Sequence, residues 1–168
     1  LRDDIGWQRL SGAVKRPLQG LKVASYYGCT LLRPQEAAID RVERPTVLQE
    51  LAHALGATVV EFPFSTECCG SYQVVTGPDF VEECTHNILG SALREGAEAV
   101  MLSCPLCDFN LGEMQRRLVQ KYAHFKELPL FYFTQLLAVA LGLGAEVCRF
   151  DLNHGEPQRL LESKGLLP

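Results

Sequence analysis

The chain has 168 residues, of which 47% are apolar and 21% charged, and a formal net charge of −4. That length suits one folded domain, and the composition is close to that of an average globular protein, which excludes a disordered or fibrous chain. The acidic balance, with no sustained Lys/Arg run, excludes a general basic field for nucleic acid or anionic lipid.

Residues 1–20 read as a short helix and a linker closed by Pro17 and Gly20. LKVASYY (21–27) is a β-rich run ending in Gly28-Cys29, and 30–44 reads as a loop. A helix is expected from about Pro45 and Thr46, with Val47, Leu48, Leu51 and Leu55 as its apolar face and Gly56 as its stop. TVVEFP (58–63) reads as the second strand and leads into Cys68-Cys69-Gly70. Asp79 is the expected cap of a long helix over 79–95, with Phe80, Val81, Cys84, Ile88, Ala92 and Leu93 on one side. AEAVMLS (97–103) is the third strand and runs straight into Cys104-Pro105-Leu106-Cys107, followed by a helix carrying Leu111, Met114, Leu118 and Tyr122.

PLFYF (129–133) is the fourth strand and TQLLAVALG (134–142) its helix; a polar tail follows, with a last helix at 156–164. Leu128 to Ala145 carries no charge, but its Leu-Pro opening and its aromatic run before Thr134-Gln135 favour a buried strand and helix over a membrane span. The domain division is therefore 1–20 helix and linker, 21–145 the cysteine-bearing domain, and 146–168 tail. The opening LRDDIGW has neither a starting Met nor an apolar run and reads as part of a longer, cytoplasmic protein.

Strands that alternate with helices predict an α/β fold, a Rossmann-like parallel sheet of about four strands with helices on both faces. Such sheets bind ligands along the edge formed by the strand C-termini. Five of the seven cysteines fall on that edge: Cys29 after the first strand, Cys68 and Cys69 past the second, Cys104 and Cys107 at the end of the third. Pro105 suits the first position of a helix, so Cys104 is expected near its cap and Cys107 one turn along, where backbone N–H groups and the helix dipole favour thiolate. Gly70 supplies freedom for a turn that directs both Cys68 and Cys69 to one site.

An all-thiolate set argues against magnesium or calcium. Zinc takes four such ligands, and an iron–sulfur centre usually does too, so a fifth cysteine leans toward a polynuclear site, with zinc plus a spare thiol left open. A thioredoxin-like pair at Cys104 and Cys107 is the cofactor-free alternative. Cys84 reads as a core residue, and Cys148 receives no role. His53, His86, His124 and His154 read as ordinary side chains, and Glu67 as solvated charge beside Cys68. No Gly-rich dinucleotide loop is present.

YYGC (26–29), ECCG (67–70) and SCPLC (103–107) resemble the cysteine-rich CCG domain, and KRPLQGLKVASYYGC, LSCPLCDFNL and FYFTQLL are similar to the second such domain of the heterodisulfide reductase B subunit, with its flanks. The resemblance covers about residues 12–145. It implies a noncubane [4Fe-4S] cluster held by Cys29, Cys68, Cys69, Cys104 and Cys107, which cleaves a small disulfide substrate. It further implies electrons from two partner subunits, an iron–sulfur one (C) and a flavin-bearing one (A), in a complex that is cytoplasmic or membrane-associated. The activity implied is that of a disulfide reductase whose isolated domain is inactive. Some CCG domains bind zinc instead, in a structural or interaction role.

Overall fold

Four short apolar runs pair into one parallel sheet in the computed structural model, which describes residues 1–167; Pro168, the last residue of the expected tail, lies outside them. The strands are β1 (Lys22–Ser25), β2 (Thr58–Val60), β3 (Ala99–Leu102) and β4 (Leu130–Tyr132), in the order β2-β1-β3-β4. Val23 lies opposite Val59 on one side and Ala99 on the other, and Met101 lies opposite Phe131. All four residues of β3 are buried, as a central strand covered on both faces requires.

The helices are α1 (Trp7–Ala13), α2 (Val47–Ala54), α3 (Pro78–Arg94), α4 (Pro105–Lys121), α5 (Phe133–Ala140) and α6 (Pro157–Ser163). Because successive strand residues face opposite ways, the sheet feeds two cores. Val23, Met101 and Phe131 pack with Leu10 of α1, Leu48 and Leu51 of α2, Val139 of α5 and Leu161 of α6. Ala24, Val100, Leu102 and Leu130 pack with Ile88 and Leu89 of α3 and with Leu111 and Leu118 of α4.

Local chemistry sets the helix starts. The Tyr27 hydroxyl accepts from the Leu48 N–H at 3.1 Å, and the Asp40 carboxylate accepts from Thr46 and Val47 at 2.6 and 2.7 Å, so α2 begins on two borrowed caps. Cys104 is the N-cap of α4 with Pro105 behind it, as expected. In α3 the cap is Gly77, followed by Pro78, rather than Asp79, whose carboxylate instead meets Arg117 at 2.8 Å.

Each strand is shorter than its apolar run, and the loop over 30–44 contains one 3-10 turn, Gln35–Ala37. Phe80 is exposed; the buried face of α3 is carried by Val81, Thr85, Ile88, Leu89 and Ala92. The segment read as a polar tail packs back onto the protein, burying Cys148, Phe150, Leu161, Leu166 and Leu167 in the first core. Gln135 pins it, donating to the Cys148 carbonyl at 2.6 Å and to Asn153 at 2.7 Å. Among the described residues no helix is long and apolar enough to cross a membrane; 128–145 contains β4 and α5.

The chain runs from β1 outward to β2, then returns past β1 to β3 and on to β4. The order reverses between β1 and β3, and the crevice outside their C-terminal ends is where a sheet of this kind receives a ligand.

Candidate metal centre

Cys29 leaves β1 four residues after its last residue, and Cys104 leaves β3 two residues after its own, so both stand at the reversal point. The backbone past β1 is held by the Ser65 carbonyl, which accepts from Tyr27 at 2.8 Å and Gly28 at 3.4 Å. That pair of bonds draws the loop after β2, with Cys68 and Cys69, against the end of β1. The Tyr26 hydroxyl adds a third tie, donating to the Glu67 carbonyl at 2.6 Å.

The sulfurs meet in pairs. Cys29 Sγ and Cys68 Sγ are 4.0 Å apart. Cys107 lies beside Cys69, and Cys104 beside Cys107 in turn. All seven cysteines are free, so no vicinal disulfide joins Cys68 to Cys69. The two neighbours part company, Cys68 facing Cys29 and Cys69 facing Cys107. Among the described residues no three Cys, His, Asp or Glu side chains converge as a ready-made site for a single ion.

The charge is placed differently from the expectation for a helix N-terminus. Cys107, at the start of α4, is pushed up because its proton is engaged by Cys69 and because it is buried. Cys69 is held low, first by the hydrogen bond from Cys107 and, against its burial, by the Ser71 N–H and the Asn110 amide. The two thiols thus shift in opposite directions, Cys69 down and Cys107 up. Burial raises Cys68.

Two glycines make room. Gly28 has φ +61, and a Cβ there would lie 3.2 Å from Cys107 Sγ. Gly70 has φ +93, and a Cβ there would lie 2.7 Å from Val81 Cγ2. A side chain at the first would intrude on the sulfur cluster; one at the second would push the Cys68–Cys69 loop off α3.

Four further polar residues border the site, none of them marked as functional by the sequence pattern. Tyr26 is fully buried, and its hydroxyl is pushed far up, chiefly by burial and then by the nearby thiols. Asn110 is buried, with its amide on Cys69. Asp108 is buried; desolvation raises its carboxyl, although His154 and a hydrogen bond to Tyr132 act the other way. Tyr132 is pushed up to about 12, first by burial. The spacing Cys104, Cys107, Asn110 marks one helix face and is the available signal for Asn110.

Cys84, read as core, is half-buried and close enough to Cys68 and Cys69 to raise its own pKa after burial, yet it makes no sulfur contact. Cys148 is buried in the opposite core. His86 stacks on Tyr122 with ring centroids 4.1 Å apart. The Glu67 side chain is exposed, and its backbone carbonyl is the part that serves the site.

Residues 23–112 match the family described as CCG: Cysteine-rich domain. The 8-methylmenaquinol:fumarate reductase membrane anchor subunit of Wolinella succinogenes is 36% identical over 149 residues, 88% of this chain and 51% of that protein. The B subunit of the ferredoxin/F(420)H(2)-dependent CoB-CoM heterodisulfide reductase of Methanosarcina acetivorans is 28% identical over 156 residues, 91% of this chain and 52% of that protein. A protein of Archaeoglobus profundus described as like the heterodisulfide reductase B subunit is 30% identical over 154 residues, 87% of this chain and 50% of that protein. The chain spans about half the length of the curated relatives it matches.

Proposed function

This chain belongs to the cysteine-rich CCG domain family, and from that premise we propose that it is the iron–sulfur domain of a protein like the heterodisulfide reductase B subunit. The residues present fit such a group. The donors at the reversal point are all sulfur, they come together in pairs, and Gly28 leaves the space beside Cys107 open. Cys29, Cys68, Cys69, Cys104 and Cys107 would hold it as a noncubane [4Fe-4S] cluster. When bound, the cluster supplies one-electron redox chemistry at sulfur.

Reduction of a small disulfide takes two electrons and two protons and releases two thiols. The electrons come from partner subunits that carry iron–sulfur centres or a flavin. The protein's own residues fix the ligand loops through Tyr26 and Ser65, lower the pKa of Cys69 through the Ser71 N–H and the Asn110 amide, and bury Cys69 and Cys107 so that their charge acts in a low dielectric. The single observation that supports the reading most is the meeting of Cys29 with Cys68 and of Cys69 with Cys107, thiols from two separate loops and the first turn of α4.

The experiment uses the full-length protein purified without oxygen. Addition of a thiol product to the oxidised protein should alter the electron paramagnetic resonance of its iron centre. A spectrum unchanged by small thiols would contradict a disulfide as substrate.

A further inference from the structure

Asn110 is fully buried on α4, one turn past Cys107. Its side-chain nitrogen lies 2.8 Å from the Ser71 carbonyl, 3.3 Å from the Cys69 carbonyl and 3.5 Å from Cys69 Sγ. The two carbonyls can only accept, so the NH2 group, not the amide oxygen, must face them and the sulfur. The orientation is thereby chemically determined. Oδ1 is left buried without a partner, a cost the fold tolerates to keep the donor on this side. One N–H is taken by Ser71 at the shortest distance; the other is shared between the Cys69 carbonyl and the Cys69 sulfur.

We infer that Asn110 is a positioning residue that donates a hydrogen bond to the Cys69 thiolate and thereby raises the reduction potential of the metal centre. The inference rests on the reading of Cys69 as a ligand of an iron–sulfur centre. A hydrogen bond to a ligating sulfur stabilises the added negative charge of the reduced state, so the donor favours reduction. The same amide ties Cys69 and Ser71 to α4, which fixes the sulfur against a rigid element. Tyr26 reaches the same loop from the other side at Glu67, so its backbone is gripped at both ends.

Two measurements test this. In wild-type protein grown with 15N-asparagine and purified without oxygen, pulsed ENDOR on the paramagnetic centre should find a coupled 15N and a proton exchangeable in D2O. In Asn110→Leu, which keeps the size and removes the donor, iron content should remain and the potential should move lower than wild type. Asn110→Gln, which keeps an amide, should bring it back toward wild type. Absence of an iron centre from the wild-type protein overturns the functional reading and this inference with it. Full iron with no coupled 15N, or an Asn110→Leu potential equal to wild type, overturns the inference alone. If neither variant folds, the wild-type 15N result decides.

Discussion

The Tyr26 hydroxyl donates to the Glu67 carbonyl across 2.6 Å, joining the end of β1 to the loop that carries Cys68 and Cys69. Both groups lie beside the sulfurs, and the tyrosine is fully buried. Tyr26→Phe removes the donor and leaves the carbonyl without it, which should lower stability by about 1–2 kcal/mol. Denaturant unfolding measures that loss. Iron retained after anaerobic gel filtration should fall as well, because the ligand loop loses its tether to the sheet. Iron retention and stability equal to wild type would contradict the role given to this bond.

Thiol substitutions should separate the seven cysteines. Cys69→Ser and Cys104→Ser are expected to lose iron while keeping wild-type far-ultraviolet circular dichroism. Cys84→Ser is expected to keep iron, since Cys84 is half-buried and makes no sulfur contact. Stoichiometric iron in the Cys69 or Cys104 variant would remove those residues from the ligand set.

Gly70 and Gly96 have similar positive φ, +93 and +84, but different surroundings. A Cβ at Gly96 meets nothing within 4 Å, whereas one at Gly70 meets Val81 at 2.7 Å. Gly96→Ala should cost about 1 kcal/mol, the usual backbone penalty. Gly70→Ala should cost more, roughly 2–3 kcal/mol with local strain added, and should also reduce iron content. Thermal unfolding of the two variants side by side, with iron analysis, checks the contrast.

Asp40 gives the acid limb of stability a specific source. Burial pushes its carboxyl up, but the N–H groups of Val47, Thr46 and Arg41 outweigh that and hold it below the ordinary value. A depressed folded-state pKa contributes stability that is present above the unfolded value of about 4 and is lost as pH falls through the folded value. Asp40→Ala should therefore cost about 1 kcal/mol near neutral pH, the worth of a helix cap. The difference from wild type should shrink as pH drops below about 4, as denaturant titrations across pH would show.

Much of the fold is legible in the sequence because long-range order follows from local pattern here. Val23 and Ala24, or Met101 and Leu102, sit in continuous apolar runs that only a strand covered on both faces can satisfy. Helices between such runs leave parallel pairing as the outcome, and parallel pairing carries Cys29 and Cys104 to one edge. The cap of α3 misleads because Asp79 is a good capping type, yet Pro78 before it claims the first helical position. The 146–168 segment misleads because Phe150, Leu161 and Leu166 are spaced widely among charges, so no window shows a strong apolar period. The opposite pKa shifts of Cys107 and Cys69 are not legible at all. They depend on which sulfur points at which donor, and that is set by the split of the Cys68–Cys69 dipeptide and by Asn110 from another element.

Iron, acid-labile sulfide and zinc, measured together on protein purified without oxygen, test the metal centre most directly. The expected result is about four iron with about as much sulfide per chain, and no stoichiometric zinc. About one zinc per chain without sulfide, or a metal-free protein, would contradict it.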